Sequence, residues 1–166
     1  MAIRTIFKDE DPVLRKRTRT ITDFNARISE LLDDMRDTME EANGLGLAAP
    51  QVGILRKAAI IVDGEEIVEL LNPELIDSEG EVGMDEGCLS FPGKYGYVRR
   101  PQKVTVKAQD RNGNPFTREF SDLSARAACH EIDHLNGILF VDLVEEPPED
   151  SEEDAKGRNN PDGELI

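Results

Sequence analysis

The sequence predicts an α+β domain in which mostly antiparallel β-sheets surround a central helix with the sequence H-E-x-x-H. Two stretches, at residues 25–42 and 122–136, have the 3.6-residue periodicity of amphipathic helices. Between them lie short apolar runs joined by tight turns, a pattern that favours hairpins over a series of parallel βαβ units. With 166 residues, the chain is long enough for one domain with a substantial core.

The first helix is predicted over residues 25–42. Asp23 or Asn25 can cap its start, and Asn43-Gly44 ends it. Spacings of three, four and seven place its apolar residues on one face, namely Ile28, Leu31, Leu32, Met35, Met39 and Ala42. This stripe predicts core packing.

The strands are predicted from short apolar runs. Residues 58–62 and 67–71 flank Asp63-Gly64, which is typical of a tight hairpin turn. Residues 102–109 alternate apolar and polar side chains, as a half-buried strand does, and the turn that follows leads back into another strand.

The second helix is predicted over residues 122–136, with Ser121 as a cap and Gly137 as its terminator. It carries the only two histidines of the chain, in the run His130-Glu131-Ile132-Asp133-His134. Residues four apart lie on one face of a helix, so both imidazoles would point at one spot with the glutamate beside it. This arrangement is typical of a divalent-metal site in which the carboxylate handles a proton of water.

A catalytic site of this type needs three protein ligands and one open position. The chain has two cysteines, too few for a disulfide scaffold. Cys129 is adjacent to His130 and is therefore rotated about a quarter turn from the histidine face, so we predict that it packs in the core. Cys88 lies in a segment that ends in the turn-forming Pro92-Gly93, and we predict that it is the third ligand.

Residues 44–51 read GLGLAAPQ and contain the glycine spacing of dinucleotide-binding folds. That fingerprint is informative only after a strand and before a helix, whereas here it follows a helix and Pro50 opposes a new one. We therefore reject a nucleotide site. The segment instead suits an extended strip whose glycines admit a peptide, with Gln51 offering an amide N–H to an oxygen.

Together, these three segments resemble the peptide deformylases. The family's motifs are G-x-G-x-A-A-x-Q, E-G-C-L-S and H-E-x-D-H, and the chain contains each of them in the family's order, at residues 44–51, 86–90 and 130–134. The resemblance extends through the sequence LNGILFVD at residues 135–142. It implies hydrolytic removal of the formyl group from the N-terminal formylmethionine of newly made polypeptides, with release of formate.

The resemblance also implies a cofactor and its ligands. One divalent metal ion would be held by Cys88, His130 and His134, with iron(II) expected in the cell and zinc, nickel or cobalt compatible with purified protein. Glu131 would take the proton of the attacking water and return it to the leaving amine.

Further site residues follow from the same resemblance. The oxyanion would be met by the Gln51 side-chain amide and the Leu89 backbone N–H. Strand-like pairing with the substrate backbone is expected at Leu45, Gly46, Gly87 and Leu89. An apolar pocket for the methionine side chain is expected near Met84, Leu123 and Ala127. Glu86 and Arg100 correspond to an ion pair behind the metal ligands, with a surface salt bridge as the alternative.

Charge and composition limit where in the cell the protein is expected to act and which molecules it is expected to bind. The net charge of −15 argues against a nucleic-acid surface, and neither a signal peptide nor a membrane-spanning segment is predicted. We expect a monomeric enzyme of the bacterial cytoplasm whose partners are N-formylmethionyl peptides and nascent chains, without direct nucleic-acid or membrane binding. Residues 1–144 are predicted to form the catalytic domain. Residues 145–166, with nine acidic and two basic side chains, are predicted to form a flexible acidic tail.

Two alternatives remain open from the sequence. A zinc protease built on the same helix would need a third ligand downstream, for which Glu145, Glu146 and Glu149 are the nearby candidates. A metal-stabilised binding module would need four protein ligands, and no fourth is evident in the three motifs. The protein atoms that converge on the site distinguish these alternatives from a deformylase.

Overall fold

The computed structural model describes residues 2–148 and 164–166. No helix among them is long and apolar enough to cross a lipid bilayer. Its helices and strands are, in chain order, α1 (Ala26–Glu41), β1 (Gly46–Ala48), β2 (Ala58–Asp63), β3 (Glu66–Glu79), β4 (Val82–Cys88), β5 (Phe91–Arg100), β6 (Lys103–Gln109), β7 (Pro115–Ser121) and α2 (Asp122–Leu135). Short 3₁₀ helices lie at Pro12–Arg15, Ala49–Val52 and Phe140–Asp142.

The strands form two antiparallel sheets. One has five strands in the order β1-β2-β3-β6-β7, and the other is the hairpin of β4 and β5. α2 packs on β1, β2 and β7 of the large sheet and also contacts β5 of the hairpin. The predicted α+β class is confirmed, and the helix with the two histidines lies between the two sheets.

The first helix agrees with its prediction to within one residue at each end. The side chain of Asn25 caps it by accepting the N–H groups of Arg27 and Ile28, at 3.1 and 3.3 Å. Its predicted apolar stripe is buried in the core, except that Ala42 is only partly buried. At α2, by contrast, the Ser121 hydroxyl makes no capping hydrogen bond, and the Ser124 hydroxyl instead accepts the N–H of Ser121 at 3.3 Å.

The β4–β5 hairpin is the element that the sequence pattern did not predict. β4 contains Gly83 and Gly87, and β5 begins with Phe91-Pro92-Gly93, which are residues typical of turns. In the structure, glycine at position 83 leaves space for the Tyr97 side chain, because a Cβ on Gly83 would lie 1.9 Å from the Tyr97 hydroxyl oxygen. Small residues therefore weaken the strand signal while they allow the two strands to pack closely. This hairpin holds Cys88 at the end of β4.

The acidic tail differs from its prediction at both described ends. The N–H of Glu145 donates to the carbonyl of Tyr97 at 2.9 Å, and the side chain of Glu145 pairs with Arg99. At the other end, Ile166 is buried, with 2% of its surface exposed. The prediction used the mean composition of residues 145–166. Leu165 and Ile166 are two adjacent apolar residues, and they pack against the apolar clusters of the domain. Residues 149–163 lie outside the described residues, so flexibility there stays a prediction.

Candidate metal centre

The three residues predicted to bind a metal converge in the structure. α2 presents His130 and His134 on one face, and their Nε2 atoms are 3.2 Å apart. The Sγ atom of Cys88 lies 3.4 Å from the Nε2 atom of His134. One ligand atom from each residue falls within 4.8 Å of the other two, and all three residues are buried. Two secondary-structure elements far apart in sequence therefore supply one candidate site.

The hydrogen-bond geometry of His130 suits a metal ligand. Its Nδ1 atom lies 2.7 Å from a carboxylate oxygen of Glu86 and donates a hydrogen bond to it. The lone pair is then on Nε2, which faces His134 and Cys88.

The cysteine is buried among acidic groups. Burial, together with the carboxylates of Glu131 and Glu86, raises the pKa of the Cys88 thiol. A thiol must lose its proton to bind a metal, and a cation between the two histidines and the sulfur favours that loss. The donor set, two imidazoles and one thiol, suits a transition metal rather than calcium or magnesium.

Glu131 lies beside the three ligand atoms, and its carboxylate forms no hydrogen bond with any residue that the structure describes. Both oxygens are buried and unbonded within the described part of the chain, and Oε1 is 3.9 Å from the Nε2 atom of His130. Burial and the nearby charge of Glu86 raise the pKa of Glu131 well above its usual range. A cation at the three ligands opposes that shift by favouring the carboxylate. The residues present therefore fit a divalent metal.

A buried ionic network holds Glu86 behind His130. Arg100 donates to the Glu86 carboxylate through Nε and Nη2, at 3.1 and 2.8 Å, and through Nη1 to Asp133 at 2.6 Å. Burial would raise the pKa of Glu86, but His130 and Arg100 hold it well below its usual range. The predicted pairing of Glu86 with Arg100 is thus a buried ion pair in the structure rather than a surface salt bridge.

Arg126 belongs to the same network and was not found from the sequence. Its Nη1 atom donates to Glu86 at 2.9 Å and to the Val98 carbonyl at 3.0 Å, and Nη2 donates to the Val82 carbonyl at 2.7 Å. It therefore ties α2 to both strands of the β4–β5 hairpin. One signal was available, because Arg126 precedes His130 by four residues and so lies on the same helix face.

We expect Arg126→Met to loosen Glu86, and through it His130, while keeping a long apolar side chain. Loss of a residue that supports a metal ligand without touching the metal typically weakens metal binding by ~10–100-fold. The buried Val98 carbonyl would also lose its donor, at a cost of about 1–3 kcal/mol, and the partly buried Val82 carbonyl would lose one at a smaller cost. The measurement is nickel affinity by chelator competition, alongside thermal unfolding. Arg118→Met, which removes exposed ion pairs to Asp63 and Glu66, is the matched control. Unchanged nickel affinity in a destabilised variant would make Arg126 purely structural.

Gln51 is oriented toward the candidate centre. Its amide oxygen accepts the N–H of Ala48 at 2.9 Å, so its NH₂ group faces the Sγ atom of Cys88 at 3.6 Å and the hydroxyl of Ser90 at 3.1 Å. The Leu89 N–H, the other predicted oxyanion donor, already donates to a main-chain oxygen, that of Ile166, at 3.2 Å. Both donors therefore lie next to the Cys88 ligand.

The predicted substrate strip and pocket are only partly assembled. Leu45 and Leu123 line one cavity, while Ala127 belongs to a cluster of buried apolar side chains under α2. Met84 is buried on β4, but among the described residues it is not part of that cluster. Gly46 lies against the centre, since a Cβ there would be 3.0 Å from the Cγ atom of Glu131.

The other candidate ligands lie elsewhere. Cys129 packs in the apolar cluster under α2, and burial raises the pKa of its thiol to about 11. Glu145, a candidate third ligand of a protease, pairs with Arg99 on β5. Glu149 lies outside the described residues.

The fold and this centre define a class of protein, an α+β hydrolase with a candidate metal site of two histidines and a cysteine. Residues 3–149 match the family model described as polypeptide deformylase. The peptide deformylase of Caldicellulosiruptor bescii is 58% identical over 144 residues, which cover 87% of this chain and 87% of that protein. That of Caldanaerobacter subterraneus subsp. tengcongensis is 55% identical over 144 residues, covering 87% and 91%. The chain therefore belongs to the polypeptide deformylase family.

Solved structures of the family share the fold. The crystal structure of a peptide deformylase from Legionella pneumophila matches with a TM-score of 0.83 at 46% identity, covering 87% of each chain. The Met-Ala-Ser-bound class I type b enzyme from Acinetobacter baumannii matches with a TM-score of 0.82 at 31% identity, covering 86% of this chain and 99% of that one. Family membership confirms the predicted function, which is hydrolytic removal of the formyl group from the amino terminus of nascent polypeptides.

Proposed function

We propose that this hydrolase works with one divalent metal ion held by Cys88, His130 and His134, and with Glu131 as the group that transfers protons. The observation that carries the proposal is the convergence of three buried ligand atoms within 4.8 Å, beside a buried carboxylate that forms no hydrogen bond within the described residues. When bound, the metal supplies positive charge that polarises the formyl oxygen and eases the ionisation of water. The test is formate release from formyl-Met-Ala-Ser together with metal content, for variants at Glu131 and Cys88.

Glu131 performs two proton transfers in this proposal. It accepts a proton from water as the water oxygen bonds to the formyl carbon. It then gives that proton to the peptide nitrogen as the carbon–nitrogen bond breaks, which releases formate and a free amino terminus. Because Gly46 has no side chain, β1 can approach the carboxylate closely enough to present a peptide to it.

Gln51 and Leu89 stabilise the charge that develops on the formyl oxygen. Ala48 fixes the amide of Gln51 before substrate arrives, so its donor needs little reorganisation when charge develops. The Leu89 N–H follows Cys88 directly, and its contact with the Ile166 oxygen supports the idea that it can serve an acceptor at this position.

The substrate backbone pairs with the edge of β1 and with the end of β4 in this proposal, through Leu45, Gly46, Gly87 and Leu89. β1 is an edge strand of the five-stranded sheet, so a peptide can add to it as a further strand. We assign the methionine side chain to the apolar region formed by Leu123 and Ala127. Met84 stays a proposed lining residue that the clusters of the structure do not support.

We propose iron(II) as the metal in the cell. A cysteine ligand next to a redox-active metal is exposed to oxidation where the site admits oxygen. We therefore expect iron-loaded protein to lose formate release in air within a period over which nickel-loaded protein keeps it, with Cys88 oxidised and Cys129 spared. Activity over time and peptide mass spectrometry provide the measurement. Equal lifetimes of the two forms would contradict the expectation.

We further propose that the enzyme is a monomer of the bacterial cytoplasm that meets nascent chains without binding nucleic acid. The net charge of −15 supports the last point, because phosphate contacts require clustered lysine and arginine. Sedimentation of the metal-loaded protein and an RNA-binding assay would check the first and last points.

A further inference from the structure

Leu165 and Ile166 lie against Gly44 and Leu45, the two residues that lead into β1. The N–H of Leu45 donates to the main-chain oxygen of Leu165 at 2.9 Å, and Leu165 forms a parallel bridge with Gly44. β1 is an edge strand, and the chain that leads into it pairs with Leu165. The segment therefore forms one isolated parallel bridge beside β1, with backbone pairing of the kind that a bound peptide uses.

The same segment also pairs with the chain around Cys88. The N–H of Ile166 donates to the carbonyl of Gly87 at 3.3 Å, and the N–H of Leu89 donates to the main-chain oxygen of Ile166 at 3.2 Å. Residues 165–166 thus connect Leu45 with Gly87 and Leu89, and we call the space between these two segments the peptide-binding cleft. Leu165 and Ile166 use the backbone groups that we assign to the substrate and to the formyl oxygen.

The side chains of Leu165 and Ile166 also pack against the domain. Ile166 is 2% exposed and belongs to the apolar cluster that contains Ala127, which we assign to the methionine pocket. Leu165 packs against the cluster that contains Leu89, and one of its methyl carbons would lie 2.8 Å from a Cβ on Gly87. A side chain at Gly87 would therefore push Leu165 away.

We propose that Leu165 and Ile166 are an intramolecular ligand of the peptide-binding cleft and compete with formylated peptides for it. The proposal rests on the substrate strip of the proposed function, since competition requires that peptides use the N–H groups of Leu45 and Leu89. One set of donors and one pocket cannot hold two chains at once. The segment lies beyond residues 3–149, so the family's fold does not require this contact.

Covalent attachment makes the competition independent of protein concentration. Groups joined by short linkers experience effective concentrations of about the millimolar range, so two residues of modest affinity can fill the cleft. Apparent substrate affinity falls in proportion to the fraction of molecules whose cleft is open. At saturating substrate the segment is displaced, so it raises KM and leaves kcat unchanged.

The test replaces Ile166 by a charged residue of similar length. Ile166→Glu should not enter the apolar cluster, and we expect it to lower KM for formyl-Met-Ala-Ser by about tenfold at constant kcat, which corresponds to a parent cleft that is about nine-tenths occupied. Ile76→Glu is the matched control, because Ile76 is 49% exposed on β3 and should leave both constants unchanged. An unchanged KM for Ile166→Glu, or an equal fall in the control, would overturn the proposal.

Amide hydrogen exchange separates occupancy of the cleft from competition. We expect the N–H groups of Leu45 and Leu89 to exchange about tenfold faster in Ile166→Glu than in the parent, matching the open fraction. Unchanged exchange overturns the proposal. If the amides exchange faster in Ile166→Glu but KM does not change, the segment does not compete with substrate. The assignment of the substrate strip would then be wrong. If the parent protein released no formate at all, the proposed function would be wrong. Amide hydrogen exchange would still show whether residues 165–166 fill the cleft.

A second variant guards against a folding defect in Ile166→Glu. A chain that ends at Gly163 should show the same fall in KM, and added peptide Glu-Leu-Ile should restore the higher value as a competitive inhibitor. The match to the polypeptide deformylase family ends at residue 149, so we expect the family fold to tolerate loss of these residues. An unchanged KM, or no inhibition by the peptide at about 10 mM, would count against the intramolecular ligand.

Discussion

Glu131→Gln is expected to retain one metal per chain and to lower formate release by ~10²–10⁴-fold, the range typical of a general acid–base group. Glutamine keeps the shape of the side chain but cannot accept the proton of water or return it to the amine. Glu131 is not one of the three converging ligands, so metal content should not change. Formate release and metal content are measured on the same sample, because a loss of metal would imitate a loss of the proton acceptor.

Stability provides a further check on this variant. Burial raises the pKa of Glu131, so the metal-free protein disfavours the charged carboxylate and the neutral glutamine should not lower its melting temperature. Glu86→Gln is the contrasting variant, because it removes the negative charge that holds the His130 N–H and pairs with Arg100, and it should weaken metal affinity instead. Turnover near the parent value in metal-loaded Glu131→Gln would remove Glu131 from the mechanism.

Cys88→Ala is expected to lose the metal and, with it, nearly all formate release. Two imidazoles would remain, and removal of a direct ligand should weaken binding by more than the ~10–100-fold that loss of a supporting residue costs. Metal content after dialysis, and affinity by chelator competition, provide the measurement. Activity that returns fully at one equivalent of added nickel would show that Cys88 is not a necessary ligand.

The chain provides a matched control for this substitution in its other cysteine. Cys129 is buried in the apolar cluster under α2, and Cys129→Ala removes the same thiol from a similarly buried position. It should cost some stability through the small cavity it leaves, but keep the metal and the turnover. Equal loss of metal in both variants would indicate general damage to the fold.

The sequence by itself determined the two helices and the residue types of the candidate site. The stripe of α1 and the spacing of His130 and His134 are local, periodic patterns, so they could be read without knowing the rest of the fold. The same holds for the β2–β3 turn at Gly64, where a positive φ of 65° suits glycine. Three short motifs in a fixed order were also enough to indicate the family, which the comparison confirmed.

Tertiary structure decided how those residues meet. The β4–β5 hairpin, rich in glycine, gave no strand signal, yet it is the hairpin that brings Cys88 to 3.4 Å from His134. Arg126 looked like an ordinary helix residue, and only the approach of the hairpin makes it a partner of Glu86. Contacts between segments far apart in sequence depend on the packing of whole elements, and no local pattern records them.

The far end of the tail shows the same limit most clearly. Composition averaged over residues 145–166 predicts a solvated segment, and that average hides two adjacent apolar residues. Ile166 is buried and Leu165 partly buried because the chain that leads into β1 offers backbone groups for pairing next to two apolar clusters. The sequence thus determined which groups could perform the chemistry, since residue type and local spacing fix that. The tertiary structure decided which groups share the cleft, because backbone pairing and burial depend on surfaces that exist only after folding.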